Sequence, residues 1–428
     1  MAICIRKILL NYNHSTFVQT FFKLFGRLLV GLLMVAGVLR LPSAVAEEAR
    51  WVSPATGQSL AMNVLEPKTA PAGQPLPLVI YMENLAAPRV GTESDQVIVQ
   101  DFLKQGYRVL TLDFAHDSKA RVPYLNRDLF ELRKAIQGKT LLPGREIDPA
   151  HVFIIPSGCR LLRDVVYYRD PDRTLGLDII YPSRPAQPGG TVIEFSCDNV
   201  NRMGNASLTI CSDTILDAEA TEGLAVAMAD HPVKAPYKGL DPMPECAWKI
   251  KAAVRTLRAA GRSLGLNGRI APVGFSRGSG MALMLVSTMG MREFEGYGEN
   301  TNCNSEVQGA VVMSGRFTYL DLLPNDHMIP RYNQVWGDRA GHLEFWRREG
   351  AMDYLGQPTL PLFLTINCSE SPDALFQMTV LRQRLAVLGN DEIFTMDPQP
   401  RGHKVTLVPE LLSAMNAYLK RCVNGSAP

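Results

Sequence analysis

Twelve residues, Arg269-Ile270-Ala271-Pro272-Val273-Gly274-Phe275-Ser276-Arg277-Gly278-Ser279-Gly280, constrain this chain more than any other stretch. A short apolar run enters Gly274-Phe275-Ser276-Arg277-Gly278, and the helix-compatible run Met281 to Val286 leaves it. A G-x-S-x-G pattern in a strand–turn–helix setting puts its serine on a bend too sharp for side chains two positions before and two after, so both flanks are glycine. The helix that follows turns its first N–H groups, and the positive end of its dipole, toward the serine. Ser276 is therefore expected to act as a nucleophile, with the N–H of Arg277 as one donor to a developing oxyanion. The plainer alternative is a glycine-rich turn in which Ser276 or Ser279 caps a helix.

A serine hydroxyl is a weak nucleophile and needs a base. Six histidines lie beyond residue 46, at 116, 151, 231, 327, 342 and 403. His403 is the first candidate, because Arg401-Gly402-His403 lies between the last strand pattern and the terminal helix, where a loop reaches the carboxyl edge of a sheet. His231, in Ala229-Asp230-His231-Pro232, also follows a strand and ranks second. The base needs a carboxylate to fix its tautomer. Glu370 and Asp373, in Cys368-Ser369-Glu370-Ser371-Pro372-Asp373, both follow the strand Pro361–Ile366. Glu370 is nearer the strand end and is narrowly preferred; Asp373 is an alternative that also suits a helix cap. The second oxyanion donor should come from Ser196-Cys197-Asp198-Asn199, with the N–H of Cys197 or Asp198 in that role.

Apolar patterning organises the rest. Residues 47 to about 75 read as a short β segment and a linker. Leu78–Met82, Tyr107–Leu112 and Val152–Ile155 read as strands, with helices over Asp95–Gln105 and Tyr124–Ile136 between them, a β-α-β-α-β succession that implies parallel pairing. From Leu161 the pattern changes: 164–168 and 175–181 read as an antiparallel pair. Strands are expected at 191–195, 223–229, 308–313, 361–366 and 392–396, and helices over 213–221, 245–264, 377–388 and from Pro409 onward. Residues 320–357 carry Trp336 and Trp346 without a strand pattern and read as a helical cap. With Tyr319 these rings suit either an aromatic subsite or core packing, and packing is the plainer reading. There is also an internal echo: Asn84, Arg89, Gly91 and Ser94 match Asn199, Arg202, Gly204 and Ser207 in order, and the Asp113–Ser157 spacing is close to the Asp230–Ser276 spacing. Residues 78–157 are then either a degenerate copy of 191–276 or show the ordinary spacing of βαβ units. The copy carries no second elbow, since Ser157 lacks a glycine two positions before it and a β pattern follows.

The first 46 residues are set apart. They hold Arg6, Lys7, Lys23, Arg27 and Arg40 and no acid, then the apolar run Leu28–Leu39 and Ala44-Val45-Ala46. This is the layout of a cleaved export signal, with an apolar run too short to span a bilayer comfortably; an uncleaved membrane anchor is the alternative. Removing five of the 44 basic residues and none of the 42 acidic ones takes the formal net charge from +2 to −3, so nothing points to nucleic acid. Export would leave seven of the eight cysteines, an odd number, and at least one unpaired within the chain. Cys197 and Cys211 are close enough to staple one loop. No C-x-x-C spacing marks a zinc or redox site.

The order Ser276, then Glu370 or Asp373, then His403, with each residue after a strand, resembles the α/β-hydrolase superfamily over residues 161–422. Within it, Gly268 to Ser276 and the helix before them are most similar to the bacterial secreted esterase branch that includes feruloyl- and acetylxylan-esterase-like proteins. The resemblance implies an α/β fold with a mostly parallel central sheet flanked by helices, here carrying an N-terminal β-α-β-α-β extension. It also implies a serine acyl-enzyme hydrolysed by water without a cofactor. Domains are accordingly expected at 1–46 (signal peptide), 47–160 (an N-terminal α/β subdomain, either a degenerate half-hydrolase repeat or an ordinary βαβ succession) and 161–428 (catalytic, with the helical cap at about 320–357). The expected protein is secreted or periplasmic and acts on a small-molecule or polysaccharide-linked ester. Two alternatives remain: a serine peptidase of the prolyl-oligopeptidase type, and a catalytically inactive hydrolase fold used for binding. Pro272 in a central strand and the absence of a His-Gly-Gly run after 191–195 both depart from the family pattern.

Overall fold

The computed structural model describes residues 47–52, 57, 59–69, 73–83, 93–113, 132, 135–136, 141–142, 144–171, 174–185, 187–195, 202, 224–230, 232, 243–356, 360–390, 392–403 and 408–425. The 1–46 segment, Cys197, Asp198 and Cys211, His116, His231, the helix expected at 213–221, most of that expected at 124–136 and much of the internal echo lie outside them.

Aliphatic runs assemble into two sheets. The first comprises β1 (Glu47–Val52), β2 (Ser59–Leu65), β3 (Leu76–Glu83), β4 (Arg108–Asp113) and β5 (Ile147–Pro156), in the order β1-β2-β4-β3-β5. β1–β2 and β2–β4 pair antiparallel, β4–β3 and β3–β5 parallel. The second comprises β6 (Cys159–Arg169), β7 (Thr174–Pro182), β8 (Thr191–Phe195), β9 (Ala225–Ala229), β10 (Ile270–Phe275), β11 (Ala310–Met313), β12 (Leu362–Asn367) and β13 (Glu392–Asp397), in the order β6-β7-β9-β8-β10-β11-β12-β13. Pairing is antiparallel for β6–β7 and β7–β9 and parallel from β9 to β13. Both sheets are therefore mixed. The short β segment expected before residue 75 is a hairpin of two strands, and β2 shows the alternation of a half-buried strand, with Leu60, Met62 and Val64 inward.

Strands β8 to β12 are buried along their whole length, as parallel strands covered on both faces must be. Pro272 fits there for a geometric reason. The N–H of Ile270 points toward the β11 side, onto Gln308 Oε1 at 2.5 Å, and strand alternation aims position 272 the same way. The β10–β11 ladder begins only at Val273 opposite Val311, so the missing N–H falls before the first rung.

Seven helices fall within the described residues. α1 (Asp95–Lys104) starts at the Ser94 cap and buries Ile98, Val99, Phe102 and Leu103. α2 (Glu245–Ser263) buries Ile250, Val254 and Leu257, and α3 (Arg277–Ser287) leaves β10. α4 (Ile329–Trp336), α5 (Leu343–Glu349) and a 3₁₀ turn (Ala351–Tyr354) make up the expected helical segment. α6 (Pro372–Val387) starts five residues before the expected boundary, because Ser371 caps it and Pro372 takes its first position. α7 (Pro409–Asn424) ends at left-handed Gly425.

One core face gathers α2, α3 and the 3₁₀ turn against the second sheet. The opposite face joins α7 to α1, β3 and β5: Val79, Tyr81, Phe102 and Phe153 belong to the same cluster as Val192, Val273, Val311 and Met415. Residues 47–428 form one compact unit on that shared core.

Candidate active site

Ser276 sits between β10 and α3 with φ 57° and ψ −118°, a left-handed conformation unusual for a side-chain-bearing residue. Its neighbours hold it there. The N–H of Ser276 donates to Met313 O at the end of β11 (2.9 Å), and Ser279 Oγ–H donates to Ser276 O (2.5 Å). A Cβ on Gly274 would lie 2.0 Å from Gly278 O, so the chain closes on itself across the bend. Gly315 is the third glycine of the site: its Cβ would stand 1.6 Å from Ser279 Oγ and 2.7 Å from Ser276 O. Sequence reasoning did not assign Gly315 a role; its only signal is its place just after β11.

Glu370 lies three residues past β12, and its N–H returns to Asn367 O (3.2 Å). The carboxylate is buried. Burial pushes its pKa up, but hydrogen bonds from His403, the Ser371 N–H and the Ser314 hydroxyl more than offset this and hold it below the usual carboxylate range. Ser314, itself at φ 47°, is a second residue that sequence reasoning passed over.

His403 joins the two. Its Nδ1 is 2.8 Å from Glu370 Oε2 and its Nε2 is 2.9 Å from Ser276 Oγ. An ionised carboxylate only accepts, so Nδ1 carries the proton and Nε2 is left to accept from the serine hydroxyl. The imidazole is half exposed, and the Phe275 ring lies beside it, centroids 4.7 Å apart. Three side chains from the ends of β10, β12 and β13 thus form one continuous relay from buried carboxylate to hydroxyl.

Asp373, the other acid considered, does not reach His403. Its Oδ2 lies 2.5 Å from Nδ1 of His327 and 3.6 Å from the Arg316 guanidinium, which also pairs with Asp326. The reason is local: Asp373 is on the first turn of α6 and faces the 314–328 segment, while Glu370 precedes the helix. Among the described residues, Asp326, His327 and Asp373 bring ligand-capable atoms within 4.8 Å of one another. Arg316 already sits between the two carboxylates and supplies the balancing cation, so the group fits a salt-bridge cluster better than a metal site. Tyr332, Trp336 and Trp346 are buried in a cluster of their own, with Tyr319 against them; Tyr332 and Trp336 stack at 4.6 Å. Core packing accounts for these rings. Arg277 opens α3 as expected, with its backbone in the first turn beside the serine.

No protein-family model matches the chain, and neither does any curated protein sequence. Among solved structures it is similar to a truncated carbohydrate esterase from gut microbiota, at 17% identity and TM-score 0.52, over 61% of this chain and 95% of that one. It is also similar to a bifunctional GH43-CE protein of Bacteroides eggerthii, at 21% identity and TM-score 0.52, over 61% of this chain and 35% of that one. The chain therefore spans about a third of the Bacteroides protein. At such identities the likeness is one of fold: the chain shares the mixed α/β architecture of these two proteins.

Proposed function

We propose that this chain is an exported serine hydrolase of the α/β-hydrolase type that cleaves carboxylic esters through an acyl-enzyme. The observation that carries the reading is the Ser276–His403–Glu370 relay, with contacts of 2.9 and 2.8 Å. In it, His403 Nε2 takes the hydroxyl proton as Ser276 Oγ bonds to the ester carbonyl carbon, and the carbonyl oxygen becomes an oxyanion beside the N-terminus of α3. Glu370 stabilises the imidazolium that results. The imidazolium returns its proton to the alkoxide as the C–O bond breaks, releasing the alcohol. Water, deprotonated by His403, then cleaves the acyl-enzyme to the carboxylic acid and free serine. The route draws only on the chain's own groups and water. Cys197 or Asp198 is proposed for the second oxyanion donor.

Because one of the two fold neighbours is named a carbohydrate esterase, polysaccharide-linked acyl esters are the substrate class to test first. The strand order supports reading residues 47–160 as a degenerate half-hydrolase copy: β6-β7-β9-β8-β10 repeats β1-β2-β4-β3-β5 with the same succession of antiparallel and parallel pairings. Export follows from the layout of residues 1–46. Among the described residues no helix is long and apolar enough to cross a membrane, and contact with a membrane is proposed only through an uncleaved signal anchor.

The decisive experiment is labelling with a fluorophosphonate probe, followed by turnover of an ester panel (p-nitrophenyl acetate, methyl ferulate, acetylated xylan) and a prolyl peptide. The wild type should label and hydrolyse esters. Ser276→Ala should do neither, with kcat lower by at least about 10⁴-fold. Labelling with peptide cleavage but no ester cleavage would favour the peptidase alternative. A folded wild type that neither labels nor turns over any ester would leave only a binding role.

A further inference from the structure

The β12–β13 ladder ends at Asn367 opposite Asp397, yet the acid and the base both lie beyond it, at 370 and 403. Something other than the sheet must set the distance between the two loops. Packing alone leaves His403 loosely held, with its side chain 48% exposed and the Phe275 ring beside it. The side chain of Asn367 is well placed to set that distance, because the residue is 4% exposed and its amide faces both loops. Its Oδ1 accepts from the backbone N–H groups of Arg401 and Gly402, each at 3.2 Å. The same oxygen accepts from the N–H (3.0 Å) and hydroxyl (2.8 Å) of Ser369. Its Nδ2 donates to Gln399 O at 2.6 Å. Ser369 completes the link, its hydroxyl oxygen accepting the Gly402 N–H at 2.8 Å. Gly402, at φ 67°, adopts the left-handed turn that brings position 403 back toward β10.

We propose that Asn367 is a positioning residue of the reaction: its amide locks the loop carrying His403 onto the loop carrying Glu370 and so sets the Ser276–His403–Glu370 geometry. The inference rests on the ester-hydrolase reading above. A general base works only within hydrogen-bond reach of its proton, and a misplacement of about 1 Å costs on the order of 10²-fold in rate. Four of the five contacts use Oδ1 as acceptor, so the effect of a substitution depends on whether that oxygen survives. Removing the amide frees the base from the acid while leaving Ser276 and the elbow as they were.

The test uses the full chain with Asn367→Ala, Asn367→Asp and Ser369→Ala, each normalised to the active sites titrated by fluorophosphonate. Thermal midpoints are measured in parallel. Asn367→Ala should lose on the order of 10²-fold in kcat for p-nitrophenyl acetate, with KM within about threefold of wild type. Asn367→Asp keeps the accepting oxygen and should retain kcat to within about tenfold, and its added carboxylate should move the acid limb of the kcat/KM profile to higher pH. Ser369→Ala removes the second link together with one of the four contacts to Asn367 Oδ1, and carries the test if the alanine variant at 367 fails to fold; it should lose about three- to tenfold in kcat. A role confined to folding would lower the thermal midpoint and leave kcat per titrated site unchanged. That result, or alanine and aspartate variants with equal kcat, overturns the proposal. A wild type that fails to label and to turn over any ester would instead bring down the reading of Ser276, and this inference with it.

Discussion

A methyl group at position 274 has nowhere to go. It would have to sit 2.0 Å from the carbonyl oxygen of Gly278, and the backbone of the elbow, unlike a flexible side chain, cannot swing aside. Gly274→Ala should therefore open the bend, lower stability by about 1–3 kcal/mol and reduce ester turnover by at least about 10²-fold. Chemical denaturation with initial rates on the same preparation checks both, and wild-type turnover in this variant would show that the bend is not what presents Ser276. The two acids of the 367–373 segment give a second test. Glu370→Gln should cost on the order of 10²–10⁴-fold in kcat, because a neutral amide no longer stabilises the imidazolium. Asp373→Asn should leave kcat within about threefold and act on stability, since Asp373 serves His327 and Arg316. The elbow and the histidine were legible in the sequence because their signals are local: two glycines around a serine, and a loop histidine ahead of the last helix. The choice between Glu370 and Asp373 was not. Both follow the same strand, and which histidine each meets depends on how α6 begins and on where the 314–328 segment folds back. Ser314, Gly315 and Asn367 gave no comparable signal, since the partners that define their roles (Glu370, the elbow at 276–279, and the 399–402 loop) lie far from them in the chain.

At the level of elements, apolar runs found most strands, and departures trace to identifiable physics. β2 was missed although Leu60, Met62 and Val64 alternate with polar neighbours, because the Pro/Gly-rich stretch beyond it reads as linker and a lone hairpin strand gives a weak signal. The two antiparallel pairings at β6–β7–β9 were only half visible: the hairpin β6–β7 announces itself by its turn, whereas β7–β9 joins strands far apart in sequence. The 320–357 segment was recognisable as helical, but not the means by which α5 holds to the body. Glu349, at the end of α5, accepts the Met243 N–H at 3.0 Å, and Arg348 donates to Met243 O at 3.0 Å, so two adjacent side chains grip both polar groups of one residue. Burial pushes the Glu349 carboxyl up to about 7, outweighing the Met243 hydrogen bond and the Arg348 charge, which lower it; Glu245 raises it further. The folded state then holds a proton that the unfolded chain has released above its ordinary value of 4.5. Between those two values folding stability should decline as pH rises, by up to about 3 kcal/mol in total. Glu349→Gln keeps an accepting oxygen for Met243 and cannot ionise, so the variant should be flatter across this window and more stable than wild type above pH ~7. Denaturation midpoints of both proteins from pH 4 to 8 check this, and parallel curves would mean that Glu349 is solvated or paired when ionised.

Taken as one molecule, the chain repeats a strand order without repeating a site. After β5 the chain turns at Ser157 and Gly158 straight into β6, whereas after β10 it turns at Ser276 into α3; only the second turn places helix N–H groups beside a serine. Ser157 instead spends its hydroxyl on Asp95, at 2.8 and 2.9 Å, and is buried. What residues 47–156 contribute to the whole is apolar surface. Ile98, Val99, Phe102 and Leu103 of α1 share a core with Val192 of β8, Val273 and Phe275 of β10 and Leu412 and Met415 of α7, so the cluster includes strand residues immediately before Ser276. A boundary near residue 160, reasonable from the change of pattern there, runs through the middle of that core. If the two sheets stabilise each other through it, they should unfold together, and loss of ester hydrolysis should track the calorimetric transition. Phe102 is 2% exposed, with its ring against Tyr81 and Tyr107. Phe102→Ala should cost about 3–5 kcal/mol, and should lower the single transition and the temperature of activity loss by the same amount, roughly 4–6 °C. An early calorimetric peak that moves alone, while activity persists to the wild-type temperature, would mean that the first sheet folds and melts as an independent body and that the shared cluster contributes little to the site.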